Sequence, residues 1–306
     1  MEDVRDLEEE GRNLVGIIPV AGHESFDFGQ PWPDCMMPIA PNFNLIEAAV
    51  AECAWAGCKS IWITVNHDFC KYIRKRLGDW CLDPVWSHRT FDRNMGESKR
   101  RIPIYYVGVN PKDRHKRDCT SWSVIHGALT AFKTLSKLSK YMIPSKYYVS
   151  FPHGYFPAYQ LREHRKTINS KKNCYITFNG CSVKDNNFMS FTFGKDDWLE
   201  FRRVIRTGTG YRMPGSKPED NLLLDPSEMW SARYFGVEKV FEPLNLEQSH
   251  EIKIENYFNI RSWEEYIDFL SASRGFTIKR PSKSILIGSR ANAACGDYLE
   301  ADEGQT

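Results

Sequence analysis

Two histidines and a small set of carboxylates stand where loop chemistry would be expected. The first group lies in "GIIPVAGHESFDFGQPWPDCMMPI" (16–39), which holds His23, Glu24, Asp27 and Asp34 and contains no Lys or Arg. The second is "SFPHGYF", where His153 precedes Gly154. Imidazole titrates near neutral pH, so His23 and His153 could each act as a general base or as a donor to phosphate. Each could equally be a loop histidine bonded to backbone. Asp27 and Asp34 could hold a cation, or simply solvate a turn. His126, inside "VIHGAL", reads as a helix-face or core residue. Thr120 and Ser121 open a helical pattern at "TSWSVIHGAL" and offer hydroxyls beside a helix N-terminus, a natural anion-binding position.

The elements that must position these groups follow from periodicity. "LVGIIPV" (14–20) is an apolar run of strand length. "NLIEAAVAECAWAG" (44–57) repeats Leu45, Ile46, Ala49, Val50 and Cys53 at helical spacing, with Asn44 and Glu47 as a capping box and Gly57 as the stop. "KSIWITVN" is a second strand, giving a βαβ unit with a parallel sheet and right-handed crossover. Further on come a basic helix over 68–77 capped by Asp68, a strand over 102–110 and a helix over 121–140. In that last helix Val124, Ala128, Phe132 and Leu135 share a face. Then follow a strand at 146–151, a helix at 157–168 and strands at 173–179 and 188–193. "KDDWLEFRRVIRTG" (195–208) is a helix, Asp225-Pro226 starts another, and "RSWEEYIDFLSASRG" is a late amphipathic helix with Trp263, Tyr266, Ile267 and Leu270 on one side.

The expectation is an α/β chain with a three-layer, Rossmann-like mixed sheet. It divides into a charged arm (1–13), one α/β domain (14–290, with a C-terminal elaboration from about 195) and an acidic tail (291–306).

Composition narrows the function classes. The 306 residues are 42% hydrophobic and 26% charged, values of an ordinary globular chain. No run approaches the roughly 18 apolar residues of a membrane span, and "MEDVRDLEEEGRN" is acidic where a signal peptide would be basic. A cytoplasmic protein with no membrane partner is expected, in the host cytoplasm if the source is viral. The 9 cysteines include no CxxC pair and read as mostly buried free thiols. Net charge is +2, but basic runs at 99–101, 112–117 and 162–172 are either solvated faces or surfaces for phosphate or nucleic acid. Aromatic residues, 13% of the chain, serve as core and interface packing or as stacking surfaces, and a protein partner or homo-oligomer is compatible with them.

The order "IIPVAG…PWPDCMMPI…NLIEAAVAECAWAGCKSIWITV" resembles the amino-terminal signature of the sugar-nucleotidyltransferase superfamily, the nucleoside-diphosphate-sugar pyrophosphorylases of glycosyltransferase-A-like fold. Ala21 and Gly22 match its glycine-rich loop, Pro33 and Pro38-Ile39 its second element, and Gly57 its helix end. "ENYFNIRSWEEYIDF" (255–269) is similar to a later family segment, with Phe258, Ile260, Ser262, Glu264 and Tyr266 in register.

The resemblance implies a nucleotide or nucleotide-sugar ligand at Ala21, Gly22, His23, Ser25, Thr120, Ser121, Gly154 and Asn259. It implies nucleotidyl or glycosyl transfer as the activity. In such enzymes Mg²⁺, Lys and Arg neutralise the reacting phosphates. Here the loop ends in Phe26 in place of Arg, and Asp34 stands in place of Lys. Pro152 or His153 replaces the first metal-binding Asp, and Asn259 the second. Glycosyl transfer would instead need an acidic metal-binding pair, for which "KDD" (195–197) is the nearby candidate. Either His23, Asp34 and His153 carry a rebuilt chemistry, with Mg²⁺ only if its site is rebuilt too, or the fold has kept a binding or structural role without catalysis. A nucleic-acid-modifying transferase is a third alternative.

Overall fold

The computed structural model describes residues 13–22, 28–87, 101–110, 117, 119–208 and 235–272. The N-terminal arm up to residue 12, His23, Ser25, Asp27, the Asp225-Pro226 helix start and the acidic tail lie outside them.

The first strand, β1 (Leu14–Pro19), and the later β4 (Ser60–Val65) are buried at every residue. This is why both read as continuous apolar runs: a central parallel strand is covered on two faces. Between them lie a short hairpin, β2 (Pro38–Ala40) and β3 (Phe43–Asn44), and helix α1 (Leu45–Ala56). The α1 cap is the expected box: Glu47 N donates to Asn44 Oδ1 and Asn44 N to Glu47 Oε2, both at 3.1 Å. Gly57 ends the helix in the left-handed region, at φ 92°.

Helix α2 (His67–Leu77) begins one residue earlier than expected, with Asn66 at the cap position. Asp68 is therefore not the cap; it lies in the first turn, where its charge complements the helix dipole. After α2 come β5 (Trp80–Leu82), the single turn α3 (Pro84–Ser87), β6 (Arg101–Gly108) and the long helix α4 (Thr120–Leu138). The chain continues through β7 (Lys146–Val149), β8 (Gly154–Tyr155), α5 (Leu161–Ile168), β9 (Cys174–Thr177), β10 (Phe191–Phe193) and α6 (Lys195–Gly208). It closes with α7 (Val237–Val240), β11 (His250–Lys253), β12 (Phe258–Asn259) and α8 (Trp263–Ala272).

Eight strands form one mixed sheet in the order β11-β9-β10-β7-β1-β4-β6-β5. β1 pairs in parallel with both β4 and β7, while β10 runs antiparallel to β7 and β9. Alternation along β1 then feeds two cores. Leu14 and Ile18 pack with α1, α5 and α8, whereas Val15 and Ile17 pack with α4, α6 and α7. These are the two outer layers of an α/β/α sandwich.

Two expected faces are corrected. In α4 the buried residues include Val124, Ile125, Ala128, Ala131 and Leu135, whereas Phe132 is 39% exposed. In α8 Tyr266 and Phe269 are buried, whereas Trp263, Ile267 and Leu270 are exposed. Both helices carry apolar residues on more than one side, so periodicity alone could not say which side met the sheet. Among the described cysteines Cys35, Cys53, Cys58, Cys81, Cys119 and Cys174 are buried free thiols and Cys181 is exposed. No described helix is long and apolar enough to cross a membrane.

Candidate functional site

The crevice expected to receive a ligand in an open α/β sheet lies beyond the carboxyl ends of the strands, where successive connections diverge. Here that point is β1, flanked by β4 and β7. Past β1, the N–H groups of Val20 and Ala21 both donate to Thr64 O at 2.8 Å. Ser123 Oγ donates to Ala21 O, and Thr64 Oγ1 donates to Ser123 O at 3.0 Å. The loop is thus pinned to the start of α4. Gly22 holds φ at 121°, and a Cβ there would lie 2.6 Å from both Cys119 C and Thr120 N. Only glycine permits that approach. Ala21 and Gly22, far away in sequence, therefore pack against the start of α4 at residues 119–123.

The N-terminus of α4 carries the positive end of a 19-residue helix. Cys119 is its N-cap, its sulfur accepting from Trp122 N at 3.4 Å. Two buried polar atoms next to it, Ser121 Oγ and Trp122 Nε1, have no hydrogen-bond partner among the described residues. Each such atom costs about 1–3 kcal/mol unless something satisfies it. The Arg117 guanidinium lies 4.7 Å over the Trp122 ring. Arg117 stands beside the start of this helix; from the sequence it belonged to a basic run that reads as either a solvated face or a surface for phosphate or nucleic acid. The available signal was position: that basic run abuts a helix whose start faces the β1 loop.

A second group forms around the ribbon of β8 and β12. These strands pair antiparallel with Asn259 opposite Gly154, so the two segments that the family resemblance singles out do meet. Their side chains, however, are engaged with the protein itself. His153 Nδ1 lies 3.2 Å from Ile260 O, and His153 O accepts from Ile260 N at 2.8 Å. Burial pushes the imidazole down to about 4, outweighing that hydrogen bond, so the ring is neutral near pH 7 and its Nδ1–H donates. At Gly154 an added Cβ would overlap Phe188 O, so this glycine serves close chain packing. In the amide orientation that satisfies its neighbours, Asn259 accepts from Arg261 Nε and Nη2 at 2.8 and 3.0 Å and donates to Tyr257 Oη at 3.3 Å. Arg261 also reaches Asn186 O and Glu265 Oε1, both at 3.1 Å.

A guanidinium therefore borders Asn259, where a family member would use a carboxylate to hold Mg²⁺. Among the described residues no three His, Cys, Asp or Glu side chains are grouped to hold a metal ion. An amide, a backbone-bonded imidazole and an adjacent cation do not suit a divalent metal that prefers anionic oxygen. The other acidic candidate, Asp197, accepts from Gly194 N and Asn173 Nδ2 at 2.8 and 2.9 Å and is spent on the start of α6. Asp34 opens a 3-10 turn (Asp34–Met36) on the stretch that α8 holds through Tyr266 Oη to Pro38 O at 2.6 Å.

Beneath the crevice lies a buried acid that the sequence did not single out. Glu52 of α1 accepts from Tyr148 Oη at 2.6 Å, Ser190 Oγ at 2.5 Å and Ser150 Oγ at 2.7 Å. Burial pushes its carboxyl up to about 7 despite these three donors. Its neighbours in the helix, Ala51 and Cys53, concealed it within an apolar run.

No protein-family model matches the chain, and no curated protein matches it in sequence. Solved structures do match in fold. A protein from Bacillus anthracis assigned as a glucose-1-phosphate thymidylyltransferase, in complex with a sucrose, superposes with TM-score 0.51 at 9% identity. That match covers 87% of this chain and 98% of the other. A UDP-glucose pyrophosphorylase complexed with UDP-glucose gives 0.52 at 10% identity over 86% of this chain and 99% of that one. The apo form of a UDP-glucose pyrophosphorylase gives 0.50 at 10% identity, covering 86% and 98%. At such identities the likeness establishes architecture, and the chain has the fold of the sugar nucleotidyltransferases.

Proposed function

We propose that this chain is a cytoplasmic, divergent nucleotidyltransferase-fold protein that binds a nucleotide or nucleotide-sugar at the α4 N-terminus without metal-dependent nucleotidyl transfer. The observation that carries this reading is the meeting of Gly22, the start of α4, Arg117 and two buried polar atoms, Ser121 Oγ and Trp122 Nε1, unpartnered among the described residues. A phosphate or base bearing acceptors would satisfy donors that no described residue does, and Arg117 would return the cation that the β1 loop lacks. Catalysis is the weaker part of the family's repertoire here. The positions that match the family's metal-binding acids hold His153 and Asn259, with His153 Nδ1 committed to Ile260 O and the Asn259 amide to Tyr257 and Arg261.

The test is calorimetric titration with uridine and thymidine nucleotides and UDP-glucose, in Mg²⁺ and in EDTA, with pyrophosphate release assayed in parallel. Binding that is equal in the two buffers, weakened by Arg117→Ala and Ser121→Ala, and unaccompanied by pyrophosphate release is expected. Mg²⁺-dependent turnover would overturn the metal-independent reading. Failure to bind any of these ligands would overturn the binding role.

A further inference from the structure

A cavity of about 320 Å³ opens on the opposite half of α4, away from the candidate nucleotide crevice. Its walls are Leu129 and Phe132 of α4, Ile143 before β7, Tyr147 of β7 and Trp198 and Leu199 of α6. Eight to twelve residues separate Thr120 from Ala128 and Phe132, about 12–18 Å along the helix axis. The two places are therefore distinct.

Three observations say what this cavity would hold. Its lining is mainly apolar, and its size falls at the lower end of the range of about 300–1,000 Å³ typical of small-molecule sites. Tyr147 is 6% exposed, and its hydroxyl, which makes no hydrogen bond among the described residues, is not one of the fully buried unpartnered atoms and so reaches open space. Lys195 stands at the cavity and forms no ion pair among the described residues. Phe193 pairs with Tyr147 across the sheet and stacks on it at 5.1 Å, and Lys195 follows two residues later. Tyr147 and Lys195 both line this cavity. The walls are also braced, since Trp198 Nε1 donates to Ile125 O at 3.0 Å and ties α6 to α4. Leaving Phe132, Ile143 and Leu199 between 38% and 48% exposed around this opening has no role in the core.

We infer that this cavity is a second binding site, for a small amphiphilic monocarboxylate whose apolar body fills the Phe132–Trp198 cleft and whose carboxylate meets Lys195 and the Tyr147 hydroxyl. Charge complementarity selects an anion, and one cation among the lining residues selects one head group. The limited volume selects one short apolar body over a double-chain lipid.

The experiment is calorimetric titration of the full chain with octanoate, decanoate and dodecanoate below their micellar concentrations, with decanol as the neutral control. Saturable one-to-one binding is expected, about fourfold tighter per added methylene until the cavity is full. Lys195→Ala should weaken decanoate by up to about fivefold and leave decanol unchanged. Leu199→Glu, at an exposed wall position that tolerates charge, should abolish both. No saturable binding, or binding indifferent to both substitutions, would overturn the site. So would concentration-dependent dimerisation that Leu199→Glu removes, because a neighbouring copy would then be the occupant.

Discussion

Replacing Glu52 by Gln gives a direct reading of the buried network beneath the crevice. The carboxyl is 4% exposed and takes three hydroxyl donors, from Tyr148, Ser150 and Ser190. Burial nevertheless dominates and moves it from an ordinary value of 4.5 to about 7. Between those two values the folded chain holds a proton that the unfolded chain has released. The Glu52 contribution to stability is therefore fully present below about pH 4.5 and is lost as pH rises through about 7. At about 1.36 kcal/mol per pH unit the loss is on the order of 3 kcal/mol.

An amide cannot ionise, so the Glu52→Gln variant lacks this slope. At pH 5 it should match wild type or fall slightly below, because an amide offers one acceptor where the carboxyl group faces three hydroxyls. By pH 8 it should gain on the order of 3 kcal/mol relative to wild type. The assay is urea unfolding of both proteins at half-unit steps from pH 5 to 8.5, at constant m-value. Other titrating groups are common to both chains and cancel in the difference. A difference that stays flat with pH would refute the claim that burial outweighs the three hydrogen bonds.

Three further outcomes test the frame around the site. Arg165→Ala would strip Asp83, which is 1% exposed and bonded to Arg165 at 2.9 and 2.5 Å, of its buried counter-charge. A cost of about 3–5 kcal/mol in thermal or urea unfolding is expected, against at most about 1 kcal/mol for Arg74→Ala at the exposed Arg74–Asp79 pair. Gly154→Ala drives a methyl into Phe188 O, and should be read as faster amide exchange at Ile260, whose N–H pairs with His153 O across the β8–β12 ribbon. His153 shows the opposite pH sign to Glu52. Its value is depressed to about 4, so its contribution is intact above about pH 6.5 and is lost as pH falls toward 4; His153→Asn should flatten the acid limb of the stability profile.

The β1–α1–β4 unit was legible to within a residue or two because its signals are local. A continuous apolar run, the Asn44–Glu47 box and Gly57 each act on neighbouring backbone and need no tertiary partner. The short strands β5, β8, β11 and β12 were not legible. Each is two to four residues long and exists through pairing with a distant strand. The inward faces of α4 and α8 failed for a related reason: where a helix is apolar on two sides, the sheet it meets decides which side is buried.

The chemistry divides along the same line. Sequence alone determined what the site lacks, since a cation absent from residues 16–39 and a carboxylate absent from 152–154 and 259 are matters of residue type. Only the tertiary structure decided what stands in their place. It set Arg117 on Trp122 at the α4 N-terminus, turned His153 and Asn259 toward Ile260 and Arg261, and enclosed Glu52 among three hydroxyls. Those contacts join residues far apart in the chain, and their energies depend on burial, which no local pattern encodes.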